Sequence, residues 1–532
     1  MSPRIIIRNG TIVDGTGASP FTADVLIEGE CIADVAPQGL PPDMDADETI
    51  DASGRLVTPG FVDVHGHSDF PIVADPAGRS KITQGITTEV FGNCGMSAFP
   101  LQGAARADAL ATHSWLGLDM TWTSADEYFN VVDCLRPAFN IASFVGHGNV
   151  RASVMGMDDR PPRPDELRAM EREVEEAIEA GAVGLATGLI YAPGMFAATD
   201  EIIALQRAAT RKGGIHASHV RGEGDRLLDA AAEFLDIVRS TGCQGQYSHL
   251  KASGRRNWGK VTQIIEMIER HNAVGGCVRF DKYPYTASST ELASLLPRWV
   301  RDGGRDAAAD RLKDPAIRRR AANEVREDLA GFTDWQDIVI VDPACDRFRR
   351  WTGRSLADLA QGEAMDPEIA FIELLTESRL TAYIVNFSMS QDDTDAALLH
   401  PQCMVCTDGE ALATDGPLAH GCPHPRAFGS FGKYLRDYVC ERPLLRIEEA
   451  VRKATSLPCE TFGFRRRGRV EAGHYADILV IDASRFADHS RFEDPHHYCT
   501  GLEAVIVNGT VTVRRDQLTG KRAGRVLRRD TA

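Results

Sequence analysis

The chain has 532 residues and no uninterrupted apolar stretch long enough to cross a bilayer, which argues against a membrane-spanning protein. Its start, Met1-Ser2-Pro3-Arg4 followed by three isoleucines and a turn, lacks the apolar core of a signal peptide. Positive charge is in deficit, with 59 Lys and Arg against 76 Asp and Glu and a net charge of −17. Such a surface repels phosphate backbones and anionic headgroups, so neither nucleic acid nor a membrane is the expected partner. The 12 cysteines are scattered thinly and do not form the dense framework of small disulfide-stapled domains. A reduced, cytoplasmic protein is expected. Solenoid repeats and low-complexity tracts are absent as well. What remains is 43% hydrophobic and 25% charged, near globular averages, in a chain too long for one small module.

The two ends resemble each other and differ from the middle. Short β-branched runs at residues 5–7, 11–13 and 24–27 are separated by Asn-Gly, Gly-Thr-Gly and Glu-Gly-Glu turns, a hairpin pattern. Runs at 477–481 and 503–509 repeat the style. Neither end holds enough strands for a core, so the two are expected to pair into one small β-sandwich domain, residues 1–58 with 468–532. Between them, apolar strand candidates lie at 61–65, 87–91, 142–147, 182–187, 214–219, 244–249, 277–281, 383–387 and 404–408. They alternate with amphipathic helical stretches such as 164–179, 201–212, 225–239 and 260–272. Repeated strand–helix units predict an α/β fold with a parallel sheet, a (β/α)8 TIM-like barrel over residues 59–467. One of the nine candidates is then surplus. Residues 292–342, rich in Arg, Asp and Ala, separate two strands by far more than one helix and predict a helical insertion near the barrel mouth.

Within Val57-Thr58-Pro59-Gly60-Phe61-Val62-Asp63-Val64-His65-Gly66-His67, strand alternation puts His65 and His67 on the same side. At the C-terminal end of a barrel strand both would face the mouth. Converging neutral imidazoles are the commonest way to hold Zn²⁺. Other residues of ligand type recur at strand ends: His219 and His249, one strand–helix unit apart, Cys94 just beyond 87–91, and Asp408 closing 404–408. Packing explains one or two such coincidences, not six. Three neighbours are set aside from the metal set. His216, at odd spacing from His219, points to the opposite face and reads as a core histidine. Cys403 and Cys406 form a lone Cys-x-x-Cys with no second pair. His147 shapes the pocket or orients a neighbour.

This pattern resembles the amidohydrolase superfamily. Glu89-Val90-Phe91-Gly92-Asn93-Cys94-Gly95 is similar to the N-acyl-D-amino-acid deacylases (D-aminoacylases) within it. So are Gly184 through Tyr191, Ser248-His249-Leu250-Lys251, Tyr283-Pro284-Tyr285-Thr286 and His424-Pro425-Arg426. The likeness runs to the Gly-x-x-Ala-Asp-Ile pattern at 473–478, nearly the whole chain. Many superfamily relatives bridge two metals with a carboxylated lysine on the fourth strand. Here that strand ends Ala186-Thr187-Gly188, and the resemblance implies that Cys94 takes the bridging or ligating place.

The expected chemistry is zinc-dependent hydrolysis of an N-acyl-D-amino acid, a small-molecule substrate, to a carboxylate and a free D-amino acid. Stereochemistry comes from the resemblance alone. A zinc on Cys94, His219 and His249 keeps one position for water and brings its pKa from about 15.7 to about 7. The family pattern suggests a second, weaker metal at His65 and His67 with Asp408 nearby, although one tight zinc suffices. Asp408 acts as general base and then acid. The substrate carboxylate calls for cationic donors, and Lys251 and Arg426 suit it. The resemblance matches Tyr191, Lys251, Tyr283, Ser289 and Arg426 to substrate-contacting positions, with Ser288 the alternative to Ser289. The arginines of residues 292–342 would favour an acidic substrate side chain if they faced the site; a solvated helical face accounts for them more simply. Another C–N bond, as in a cyclic amide or a D-peptide-like substrate, is the second reading. A non-catalytic barrel is the third, and it predicts loss of a ligand or of the base, whereas all six positions are filled.

Overall fold

The computed structural model describes residues 3–528. The two ends of the chain build a single mixed nine-stranded sheet. The front contributes Arg4–Ile12, Phe21–Glu28, Cys31–Ala36, Glu48–Asp51 and Leu56–Pro59, and the back Ile478–Ile481, Leu502–Val507, Thr510–Arg514 and Gln517–Leu518. The halves join where Leu56–Pro59 pairs antiparallel with Ile478–Ile481. Hydrogen bonding runs on from one end's strands to the other's as one mixed sheet, and strands of both ends share one apolar core. Period-two alternation splits each strand between two cores. Ile478 and Val480 join Ile7, Val25, Ile50 and Val57 in the sheet's own core, while Leu479 and Ile481 pack into the main core with Phe61 and Phe431.

The middle of the chain supplies parallel strands in two ladders. One contains Phe61–Asp63, Ile86–Phe91 and Asn140–Ser143; the other runs through Val145–Gly146, Gly184–Gly188, Ile215–His219, Gly245–Tyr247, Val278–Lys282 and Cys403–Val405. Every pairing within them is parallel. The ladders meet at Phe144, where the chain leaves Ile86–Phe91 and passes to Gly184–Gly188. They meet again where Asp408 N donates to His65 O (2.8 Å) and His67 N donates to Gly409 O (3.0 Å). Helices pack outside by apolar stripes: Met170, Val174, Ala177 and Ile178 are the buried apolar positions of Pro164–Glu179, and Val261, Ile264, Ile265 and Ile268 those of Lys260–Ala273.

The surplus strand is Tyr383–Asn386. It pairs antiparallel with Ser288–Glu291 and Ile338–Asp342, in a three-stranded sheet separate from the parallel set. The insertion therefore extends from Ser288 to Asn386 and is mixed α and β, where a helical segment over 292–342 was expected. The β-branched run Ile338-Val339-Ile340-Val341 favours a strand, and the helices Pro315–Leu329 and Pro367–Glu377 close a separate apolar cluster around it. Among the described residues, no helix is long and apolar enough to cross a membrane. All 12 cysteines are free.

Candidate active site

The parallel strands end at a cleft of about 1120 Å³. The strands carrying the motif are shorter than the sequence suggests, so His65, His67 and Asp408 sit on the backbone just beyond them. Three site residues adopt left-handed backbone that non-glycine residues rarely visit: Cys94 (φ 55°), His249 (φ 36°) and Asp408 (φ 51°). Each turn halts the strand direction and swings its side chain over the end of the sheet.

Two groups of ligand-type atoms result, each with its atoms within 4.8 Å of one another, and Cys94 belongs to both. In the first, His249 Nε2 lies 2.9 Å from His219 Nδ1 and 3.4 Å from Cys94 Sγ. In the second, His65 Nε2 lies 3.3 Å from Cys94 Sγ and 3.4 Å from Asp408 Oδ1, and His67 Nε2 lies 3.1 Å from the same oxygen. Burial pushes the Cys94 thiol up, but His65 and His249 outweigh it and hold the thiol well below its ordinary value. Burial likewise opposes ionisation of Asp408, and Arg426, with His249 and His65, overrides it and holds the carboxyl well below the usual range. Thiolate, imidazoles and carboxylate are a borderline-soft set that suits zinc. The outer ring nitrogens of His65 and His249 face carboxylates, as those of metal-binding histidines usually do. His65 Nδ1 lies 3.2 Å from Asp281 Oδ1, and His249 Nδ1 lies 3.2 Å from Glu223 Oε1 and 2.7 Å from Lys251 Nζ. By donor chemistry, spacing and support, these residues fit a zinc centre.

Glycines make this convergence possible. A Cβ on Gly66 would stand 1.8 Å from Glu89 Oε1, which explains the middle residue of His-Gly-His. A Cβ on Gly188 would stand 1.7 Å from the carbonyl oxygen of Cys94. No side chain, lysine included, can occupy the end of that strand while the Cys94 turn lies against it.

The expected substrate residues gather around this centre with one difference. Lys251 Nζ bonds Glu223 Oε1 at 2.6 Å. Arg426 donates to Asp408 Oδ2 at 2.6 Å and to the Ser289 carbonyl at 3.1 Å. The Arg426 backbone is fixed by His424, which accepts its N–H at 2.9 Å while the other ring nitrogen lies 2.9 Å from the Ala287 carbonyl oxygen. Tyr191, whose hydroxyl lies 2.9 Å from Thr290 Oγ1, lines the cleft, as do Ser288 and Ser289. Tyr283 stands behind the wall instead: it is fully buried, with the Arg426 guanidinium 4.9 Å from its ring centre. His216 points away and packs on Phe234, its Nδ1 3.1 Å from Gln206 Oε1. His147 is buried against Glu201 (3.0 Å), away from both metal-binding groups. Cys406 donates to Asp281 beneath the site.

Sequence reasoning passed over Asp281, Glu223 and the buried Lys81. Asp281 closes a strand candidate and would have been found by the rule that found Asp408. Glu223, four residues past His219, carried a weaker signal.

The model of the amidohydrolase family matches residues 48–290 and 408–513. The chain belongs to the amidohydrolases. An N-acyl-D-glutamate deacylase from Alcaligenes xylosoxydans xylosoxydans is 38% identical over 99% of this chain and 97% of its own. The crystal structure of N-acyl-D-glutamate deacylase from Bordetella bronchiseptica, complexed with zinc and a phosphonate mimic of the tetrahedral intermediate, superposes with a TM-score of 0.84. It shares 34% identity and is matched over 99% of this chain and all of that one. A structure addressing the binuclear metal centre of D-aminoacylase, with one-metal activation and second-metal attenuation, gives 0.83 at 32% identity over 99% of both chains. Within the superfamily, then, this chain is a member of the D-aminoacylase (N-acyl-D-amino-acid deacylase) family.

Proposed function

We propose that this chain is a zinc-dependent hydrolase that cleaves the amide bond of N-acyl-D-amino acids, releasing a carboxylate and a free D-amino acid. The observation that carries the reading is Cys94, whose sulfur belongs to two groups of metal-binding atoms at the floor of a cleft walled by Lys251 and Arg426. The two parallel ladders would together make an eight-stranded (β/α)8 ring, completed at Phe144 and at the His65–Asp408 hydrogen bond. Residues 59–467 would then form the catalytic domain, and residues 1–58 with 468–532 the terminal one.

Cys94, His219 and His249 would hold the tighter zinc, and His65, His67 and Asp408, sharing Cys94, a second and weaker one. Zinc bound there supplies acidity to water, from a pKa of about 15.7 to about 7, and polarises the amide carbonyl. Asp408 takes the proton of the attacking water and returns it to the leaving amine nitrogen. Arg426 and Lys251 receive the α-carboxylate, Arg426 through two parallel N–H donors. Tyr191 and Ser289 complete the wall, and Tyr283 backs Arg426. Arg426 is bonded to Asp408. A substrate carboxylate competes for that guanidinium and loosens its hold on Asp408, so binding readies the base.

Free-amine release from N-acetyl-D- and N-acetyl-L-amino acids, with zinc-loaded and chelator-treated enzyme side by side, tests the reading. Chelator-sensitive cleavage confined to the D series is the expected result, and no cleavage of either series with zinc verified in place refutes it. Asp408→Asn should keep the tighter zinc and lose turnover by about a hundredfold or more; near-normal turnover would remove Asp408 as the base.

A further inference from the structure

The cleft is lined by charges of both signs, and nearly all are already matched. Arg305 donates to Asp108 (2.6 Å) and Glu291 (2.5 Å). Arg349 pairs with Asp346 at 2.5 Å, Lys251 with Glu223, and Arg426 with Asp408. His420 pairs with Asp342 at 2.7 Å. The other arginines at the start of the insertion are also engaged: Arg298 with Asp159, and Arg301 with the Ile190 carbonyl. Among the described residues, every Lys and Arg that lines the cleft already pairs with a carboxylate.

One carboxylate is left over. Among the described residues lining the cleft, Glu410 is the only acidic side chain with neither a hydrogen bond nor an ion pair. It lies two residues beyond Asp408 and lines the cleft, close enough to His67, Lys81, Arg426 and His420 to feel their charges. Trp115 lines the cleft too, its ring stacked on His420 at 5.1 Å and 10°. A carboxylate in a cleft, with neither a hydrogen bond nor an ion pair, is a partner that a cation can meet through a charge-assisted hydrogen bond.

We propose that Glu410 selects substrates carrying a cationic group, an amine or guanidinium, and turns acidic ones away. The inference rests on the deacylase reading and names the substrate class within it. It also separates this chain from the relative named for N-acyl-D-glutamate, since a glutamate side chain directed at this wall would meet a like charge. The cation can sit on the amino-acid side chain or on the acyl group, and Glu410 would bind either in the same way.

The test is kcat/KM on N-acetyl-D-lysine, N-acetyl-D-leucine, N-acetyl-D-glutamate and β-alanyl-D-leucine, for wild type, E410Q and E410D. Wild type should prefer lysine to glutamate by about tenfold or more if the cation is on the side chain. It should prefer β-alanyl- to N-acetyl-D-leucine by a similar factor if the cation is on the acyl group. E410Q should lower the ratio of the favoured cationic substrate to N-acetyl-D-leucine by about tenfold to a hundredfold, and E410D should restore most of it. A wild-type preference for glutamate, or a ratio unmoved in E410Q, overturns the proposal while leaving the deacylase reading standing. If no N-acyl-D-amino acid is cleaved, the deacylase reading falls. Calorimetric binding of N-acetyl-D-lysine and N-acetyl-D-glutamate to the zinc-loaded protein then still decides the matter, tighter or equal glutamate binding refuting the role of Glu410.

Discussion

Lys81 lies completely buried beneath the metal-binding residues. Its ammonium donates to Asp63 Oδ2 (2.9 Å), Thr407 Oγ1 (2.6 Å) and the Gly409 carbonyl (2.8 Å), and lies 2.9 Å from Glu89 Oε1. Asp63 in turn accepts from Thr407 N at 2.9 Å, so one cation ties the first two parallel strands to both neighbours of Asp408. Lys81→Met keeps the reach and removes the charge, leaving two carboxylates facing each other in the core. Breaking a buried ion pair this way costs about 3–5 kcal/mol. The cost depends on pH with a definite sign. Burial pushes Glu89 up to about 7 even though Lys81 opposes it, so between its unfolded value and 7 the folded state holds the extra proton. Without Lys81 that value rises further. The variant should therefore be closest to wild type near pH 5 and lose most stability as pH rises to 8. Thermal unfolding followed by tryptophan fluorescence at pH 5 and pH 8 reads this directly, with kcat and zinc content measured on the same samples. Adding Glu89→Gln should recover part of the loss by removing one of the stranded charges. A Lys81→Met protein with the wild-type midpoint at pH 8 and wild-type kcat would refute the argument.

Three further outcomes follow from the geometry. Cys94→Ala removes the atom common to both metal-binding groups, so bound zinc by elemental analysis should fall at both, with activity; unchanged stoichiometry would exclude the sulfur as a ligand. Gly188→Ala drives a methyl into the Cys94 carbonyl, and zinc occupancy and turnover should drop about tenfold or more with the far-ultraviolet circular dichroism unchanged. Burial pushes His216 down to about 3, against about 6.5 when unfolded, so the unfolded chain gains its proton first and stability is lost as pH falls from 6.5 toward 3. His216→Leu should flatten the fall of the thermal midpoint between pH 6.5 and 4.5, and an identical slope would count against that account.

The strands and the converging ligand-type side chains were legible because they obey local rules. Apolar runs of four to six residues mark buried strands, and a polar residue recurring at their C-terminal ends, as at His219, His249 and Asp408, has no packing explanation. Lys81 was not legible, because a lone lysine in Gly-Arg-Ser-Lys looks like surface and acquires meaning only when Asp63, Glu89 and Thr407 arrive from other strands. The extent of the insertion was hidden for a related reason. Tyr383–Asn386 has the composition of a parallel strand, and only its pairing with Ser288–Glu291 places it outside the ladders. The joining of the two ends into one hydrogen-bonded sheet was hidden as well, because that edge pairing is decided by residues far apart along the chain and leaves no local trace.

That distant pairing has a consequence during synthesis. The five front strands leave the ribosome with Leu56–Pro59 paired to the first strand on one edge and open on the other, whose partner is made roughly 400 residues later. At about 5–20 residues per second this amounts to roughly 20–80 s of translation. For that interval a largely buried strand end presents open N–H and C=O groups, the kind of edge that recruits another chain. Nascent chains stalled before residue 478 should therefore be the forms that depend most on a chaperone, and release of the last 50 or so residues should end that dependence by closing the sheet.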